Sequence, residues 1–243
     1  MDTEDYQIAL DMGLPYFLRQ EERTGVYLNG PMLQSAEWFN LYLKPRGFCY
    51  IEQFVERDDV LQTLRRGSML GIQVTPTSKH AVVFLGMQED KYKFLNNKWE
   101  TSEEPEGLLL SAEECLERLP EQVTVGCLKP CAEGKAELKP YYEEALVNWE
   151  KLRTELHMFI SVLQSPLALK EAMNRLFRPL LLDGISMAKL LDKKELTDCL
   201  EKLQKEFLAG VRKNEAVCLA EEFSRGELDK AVDAFVEMIT LQL

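Results

Sequence analysis

Histidine is the scarcest reactive residue here: the 243-residue chain has two, His80 and His157. That rules out a site built from clustered imidazoles. No cysteine precedes Cys49, so no thiolate is available near the N-terminus. No apolar run approaches the ~18 residues a membrane helix needs. The opening Met1-Asp2-Thr3-Glu4-Asp5 lacks the basic start and apolar stretch of a signal peptide. Positive charge is in deficit, 29 Lys and Arg against 41 Asp and Glu, for a net charge of −12. That balance argues against nucleic acid and against an anionic membrane surface, since both need a basic face. No G-x-x-x-x-G-K-[ST] phosphate loop and no G-x-S-x-G elbow occurs.

Hydrophobic residues make up 46% of the chain, enough for a packed core. The six cysteines are scattered through it, which suits reduced thiols in the cytoplasm better than a disulfide framework. Cys127 and Cys131 are the only close pair. A zinc site would need two more ligands, and His80 is the only histidine in that half. No metal and no cofactor is therefore expected.

The texture changes near residue 130, where Lys129-Pro130-Cys131-Ala132-Glu133-Gly134 has the punctuation of a linker. Before it, the patterns predict helices over 5–18 and 32–43 and a strand over 48–55. A short helix over 57–66, a strand over 69–74 and a hairpin over 80–86 and 91–95 follow. A helix from Ser111 and a strand over 122–128 complete the half. Gly13, inside the first helix, costs about 1 kcal/mol relative to alanine and marks close approach of another segment. After residue 131 the pattern is helical. Pro140 to Leu163 is the longest helix, Gly184 breaks another, and Lys194 to Val211 is amphipathic. Ser224 and Glu227 form a capping box that starts the last helix. The expected organisation is an α+β domain over 1–131 and an all-α domain over 132–243.

His80 opens the strand His80 to Gly86, and its hairpin partner Lys91 to Leu95 runs into Asn96-Asn97. A histidine and an asparagine so placed can lie side by side, as a thiol enzyme holds its general base and the amide that orients it. The plain reading is an edge histidine and a turn-forming asparagine pair. His157 sits among Leu156, Met158, Phe159 and Ile160 and reads as a satisfied core or interface histidine. The run Glu103-Glu104-Pro105-Glu106 reads as a solvated loop.

From Gly47 to Leu119 the chain resembles the papain-like peptidases that trim double-glycine leaders from bacteriocin precursors. The resemblance rests on a helix over Asp58 to Arg66, Gly67, a strand over Leu70 to Val74, and His80 to Gly86. It continues through Glu89-Asp90, Tyr92 to Asn96, and Leu110-Ser111-Ala112-Glu113-Glu114. The two-part layout is similar to the butirosin-biosynthesis acyltransferase group, which joins such a domain to a helical part. The resemblance implies a papain-like fold for the first half. It puts His80 at the general-base position and Asn96, with Asn97 as alternative, at the orienting position. It puts the nucleophile slot near Tyr6, where a cysteine is missing. Tyrosine, with a pKa of about 10, cannot replace a thiolate.

The first function expected is therefore a catalytically dead relative that binds a peptide or an acyl-carrier protein. The second is an active thiol peptidase or acyltransferase using Cys49 with His80 and Asn96, although a mid-strand thiol lacks the activation a helix N-terminus supplies. The third is a scaffold that forms a homo-oligomer through its helical half. The substrate-binding residues stay unassigned.

Overall fold

The computed structural model describes residues 5–30, 35–96, 104–135, 137–219 and 223–243, with side chains from Gln7 onward. They fold into two compact units, each with its own core. One is a contiguous sheet unit over 43–135. The other is a helical unit made of 1–42 together with 136–243.

In the helical unit, helix α1 (Asp5–Asp11) leads through a 3-10 turn (Leu14–Tyr16) into strands β1 (Leu18–Gln20) and β2 (Tyr27–Asn29). Those two strands pair antiparallel. Helix α2 (Ala36–Leu43) runs up to the boundary between the units. The division expected at residue 131 is thus corrected: the first 42 residues belong with the C-terminal helices. The reason is aromatic. Phe17 packs on Trp38 and Tyr142 at centroid distances of 4.8 and 5.6 Å. Arg19 adds an ion pair to Glu144 at 2.8 Å.

The helix expected over 5–18 stops at Asp11, because Gly13 adopts a left-handed φ of 68°. A Cβ there would sit 2.9 Å from the Tyr142 hydroxyl, so Gly13 does mark a close approach. Strands of three residues are too short for the alternation that reveals a strand. Of the helix expected over 32–43, residues 32–34 lie outside the described residues.

The sheet unit begins with a 3-10 turn and strand β3 (Phe48–Glu56). The short helix α3 (Val60–Thr63), strands β4 (Met69–Thr75), β5 (Ser78–Gln88), β6 (Lys91–Asn96) and β7 (Gly107–Leu110), helix α4 (Ala112–Glu117) and strand β8 (Gln122–Pro130) follow. All six strands pair antiparallel in the order β3-β8-β4-β5-β6-β7. One face is apolar: Leu70, Ile72, Val82, Phe84, Phe94 and Leu108 alternate inward and pack with Val60, Cys115 and Leu119. The ends of this unit meet, since the Gly134 N–H donates to the Lys44 carbonyl at 3.1 Å.

The rest of the helical unit is α5 (Lys139–Ile160), the two-residue strand β9 (Leu163–Gln164), α6 (Pro166–Ala172), a π-turn, α7 (Arg178–Leu181), α8 (Asp183–Leu190) and α9 (Lys194–Arg212). Strand β10 (Val217–Cys218), paired with β9, and helix α10 (Arg225–Thr240) close the chain. Leu152, Leu156 and Ile160 of α5 are fully buried, and Trp149 stacks on Phe235 of α10 at 4.6 Å. The helix break expected at Gly184 falls instead at Leu182, between α7 and α8. Gly184 lies inside α8, and a Cβ there would meet the Pro179 carbonyl oxygen at 2.4 Å. No helix of the described residues is long and apolar enough to cross a membrane.

Candidate functional site

The β5–β6 register fixes the site. Val82 of β5 lies opposite Asn96 of β6, and His80 is two residues before Val82, on the same inward face. The His80 Nδ1 lies 3.2 Å from the Asn96 Oδ1. Asn96 is 2% exposed and held at three points: its Nδ2 donates to the Pro105 carbonyl at 2.9 Å, its backbone N–H to the Glu106 carbonyl at 2.7 Å, and its Oδ1 faces the imidazole. Because Nδ2 is committed to a carbonyl, the amide orientation follows from the bonding pattern.

Glu104 supplies a second oxygen, its Oε2 3.0 Å from the same Nδ1. The Asn96 Oδ1 can only accept, so its contact places the proton on Nδ1, with the Glu104 carboxylate alongside. In the neutral imidazole that leaves Nε2 as the acceptor, the tautomer a general base needs. His80 is about one third exposed, so the ring is open to solvent along part of its surface.

Of the acidic run expected as a solvated loop, Glu103 lies outside the described residues, and the rest is more than a solvated loop. Glu104 and Pro105 close on the histidine and its asparagine because β7 pairs back onto β6, with Leu95 opposite Gly107. The four-residue strand at 107–110 was the signal that could have located them. Asn97, the alternative orienting residue, lies outside the described residues. Tyr6 falls in α1, and its side chain also lies outside them.

Cys49 does not join His80. The strand order puts β8 and β4 between β3 and β5, a sideways separation of three strand spacings of about 4.8 Å. Cys49 lies opposite Lys129, three residues beyond Gly126, whereas His80 lies opposite Ile72, three residues the other way from Gly126's partner Met69. Six residues at about 3.3 Å each add to the separation. Cys127 and, just past the end of β8, Cys131 share that remote β3–β8 ribbon with Cys49, and all three thiols are free.

Cys115 is on the correct face of the sheet, but it is fully buried, and burial pushes its thiol up to about 11. A buried protonated thiol is not a nucleophile. Among the described residues no group of three His, Cys, Asp or Glu side chains could hold a metal ion.

His157 is satisfied from the last helix: its Nε2 lies 2.7 Å from Asp229 Oδ1. Two surface depressions stand apart from either histidine. One of about 380 Å³ lies at the β4–β5 turn against the end of α4, lined by Gln73, Thr77, Lys79 and Arg118. The other, of about 540 Å³, lies between α9 and α10, with Leu196, Ala231 and Met238 in its lining. No family model matches the chain, and no curated protein matches it significantly.

Proposed function

We propose that residues 43–135 carry the histidine and asparagine of a papain-like site without its nucleophile, and that this domain binds a peptide or an acyl-carrier protein without cleaving it. The observation that supports this reading is the oriented His80 with no thiol of its own unit in reach. Asn96 sets the Nδ1–H tautomer, with the Glu104 carboxylate 3.0 Å from the same nitrogen, while Cys49, Cys127 and Cys131 lie on a distant ribbon and Cys115 is sealed in the core. An oriented imidazole at a partly open strand end supplies a hydrogen-bond acceptor to a ligand as readily as to a thiol. The unbridged cysteines suit a cytoplasmic setting.

The test is site-resolved alkylation of the folded chain at mildly acidic pH, with and without His80→Ala. The expected result is slow reaction at all six cysteines, slowest at Cys115, and no change in the variant. One cysteine reacting far faster than the rest, and slowing in the variant, would make the protein an active thiol enzyme and sink the proposal. In parallel, binding of a labelled extended peptide and of an acylated carrier protein is measured by fluorescence anisotropy. The proposal requires at least one of them to bind the native chain and to weaken at least threefold in His80→Ala.

A further inference from the structure

We propose that the chain pairs with a second copy of itself along the outer edge of β3, antiparallel and centred on Ile51. This inference stands apart from the binding role of His80. Among the described strands, β3 ends the sheet and has β8 as its neighbour. The Cys131 N–H donates to the Gly47 carbonyl at 2.9 Å, and the Arg57 N–H to the Glu121 carbonyl at 2.8 Å. Bonding alternates along an antiparallel ladder, so the odd-numbered residues of β3 face β8. The backbone N–H and C=O groups of Phe48, Glu52 and Phe54 therefore turn to the open edge. Half of the ribbon also stands clear of the third strand, because β4 pairs with β8 only at Met69 and Leu70.

The edge is only lightly protected, by Glu52 and Glu56. Nine residues long, it contains no lysine and no proline. The other edge, β7, has four residues. Phe54 is 82% exposed, Phe48 43% and Ile51 39%.

The order of these side chains selects the partner. Phe48 and Phe54 stand at equal distances on either side of Ile51. A twofold axis through Ile51 sets Phe48 against the second copy's Phe54, on both sides, and Ile51 against Ile51. It opposes Glu52 to Tyr50, so no like charges meet. An axis one residue further on would set Glu52 against Glu52 and Phe48 against Glu56. Cross-strand pairs of aromatic or apolar side chains stabilise a ladder, and directly opposed like charges destabilise it. The strand is thus its own complement about Ile51, the requirement of an isologous interface. The net charge of −12 on each copy opposes association at long range, so added salt should strengthen the pairing by screening.

Sedimentation velocity on the full chain tests this, over a concentration series at low and moderate salt. The expected mass rises from 28.0 kDa toward twice that value with concentration, and the rise steepens with salt. Ile51→Lys and Phe54→Lys should each return the monomer with an unchanged circular dichroism spectrum, both sites being exposed. The register is read by mild oxidation of Ile51→Cys and Gln53→Cys, each with Cys49, Cys127 and Cys131 replaced by serine. The axis residue should cross-link, because a pair without backbone hydrogen bonds brings its Cα atoms to about 4.5 Å. Position 53, opposite 49 of the other copy, should not. A monomer at every concentration overturns the proposal, as does a dimer that survives both lysine variants. A cross-link at 53 in preference to 51 overturns the register.

Discussion

Asn96 is the side chain on which the candidate site depends. One amide satisfies a ring nitrogen and a carbonyl while its own backbone N–H caps a third group. Removing it leaves the buried end of the hairpin with an unfilled space and two polar atoms short of a partner. Asn96→Ala should therefore cost about 1–3 kcal/mol, the range for a buried polar group left unsatisfied. His80→Ala should cost less, because a third of that ring is already in water. Urea denaturation of the two variants decides it; equal losses would mean that Asn96 is not the structural anchor. The pairing itself was legible in the sequence, since a hairpin with a short turn fixes which ends meet. Glu104 was not, because a carboxylate in an acidic run has no local pattern that says which way the chain folds back.

At the scale of elements, helix α4 shows how a short helix is held. Ser111 accepts from the Glu114 N–H at 3.2 Å, and the Glu114 carboxylate accepts from the Ser111 N–H at 2.7 Å. That reciprocal box was readable from Ser111 and Glu114 alone. The box expected at Ser224 forms by half: Ser224 caps the Glu227 N–H, but the Glu227 carboxylate goes to Lys202 at 2.6 Å. A lysine on another helix outbid the local contact, and no local pattern contains it.

The backbone N–H of Ser111 is the main cause that holds the Glu114 carboxyl below its ordinary value of 4.5. A lowered folded pKa means stability that is full above the unfolded value and is lost as pH falls through the folded one. Ser111→Ala should cost about 1 kcal/mol near neutrality. Glu114→Gln should flatten the acid limb of the stability profile. Denaturation midpoints at neutral pH and below the carboxylate range check both; an unaltered acid limb in Glu114→Gln would refute the assignment.

For the whole molecule, the unit boundaries carry the prediction. The sheet unit is contiguous, has its own core, and its two ends are tied by hydrogen bonds. Residues 43–135 expressed alone should fold and melt cooperatively. Residues 136–243 alone should not, because their core includes Phe17, Leu18, Tyr27 and Trp38 from the other end of the chain. Thermal melting followed by circular dichroism distinguishes the cases. A cooperative melt of 136–243 would restore the simpler division near residue 131.

The sequence by itself determined what local periodicity and covalent order can carry. It determined five of the six strands of the main sheet, all but β7, the long helices of the second half, the acidic charge, and the proximity of His80 and Asn96. These follow from side-chain alternation and from a tight hairpin, both readable over a dozen residues. Only the tertiary structure decided that the first 42 residues join the C-terminal helices, that Glu104 closes on His80, and that Cys49 lies far from it. Each of these is a meeting of segments far apart in sequence. Such meetings are chosen by which apolar faces bury each other and by the order in which strands pair. Both are properties of the assembled core, and no single stretch of the chain encodes them.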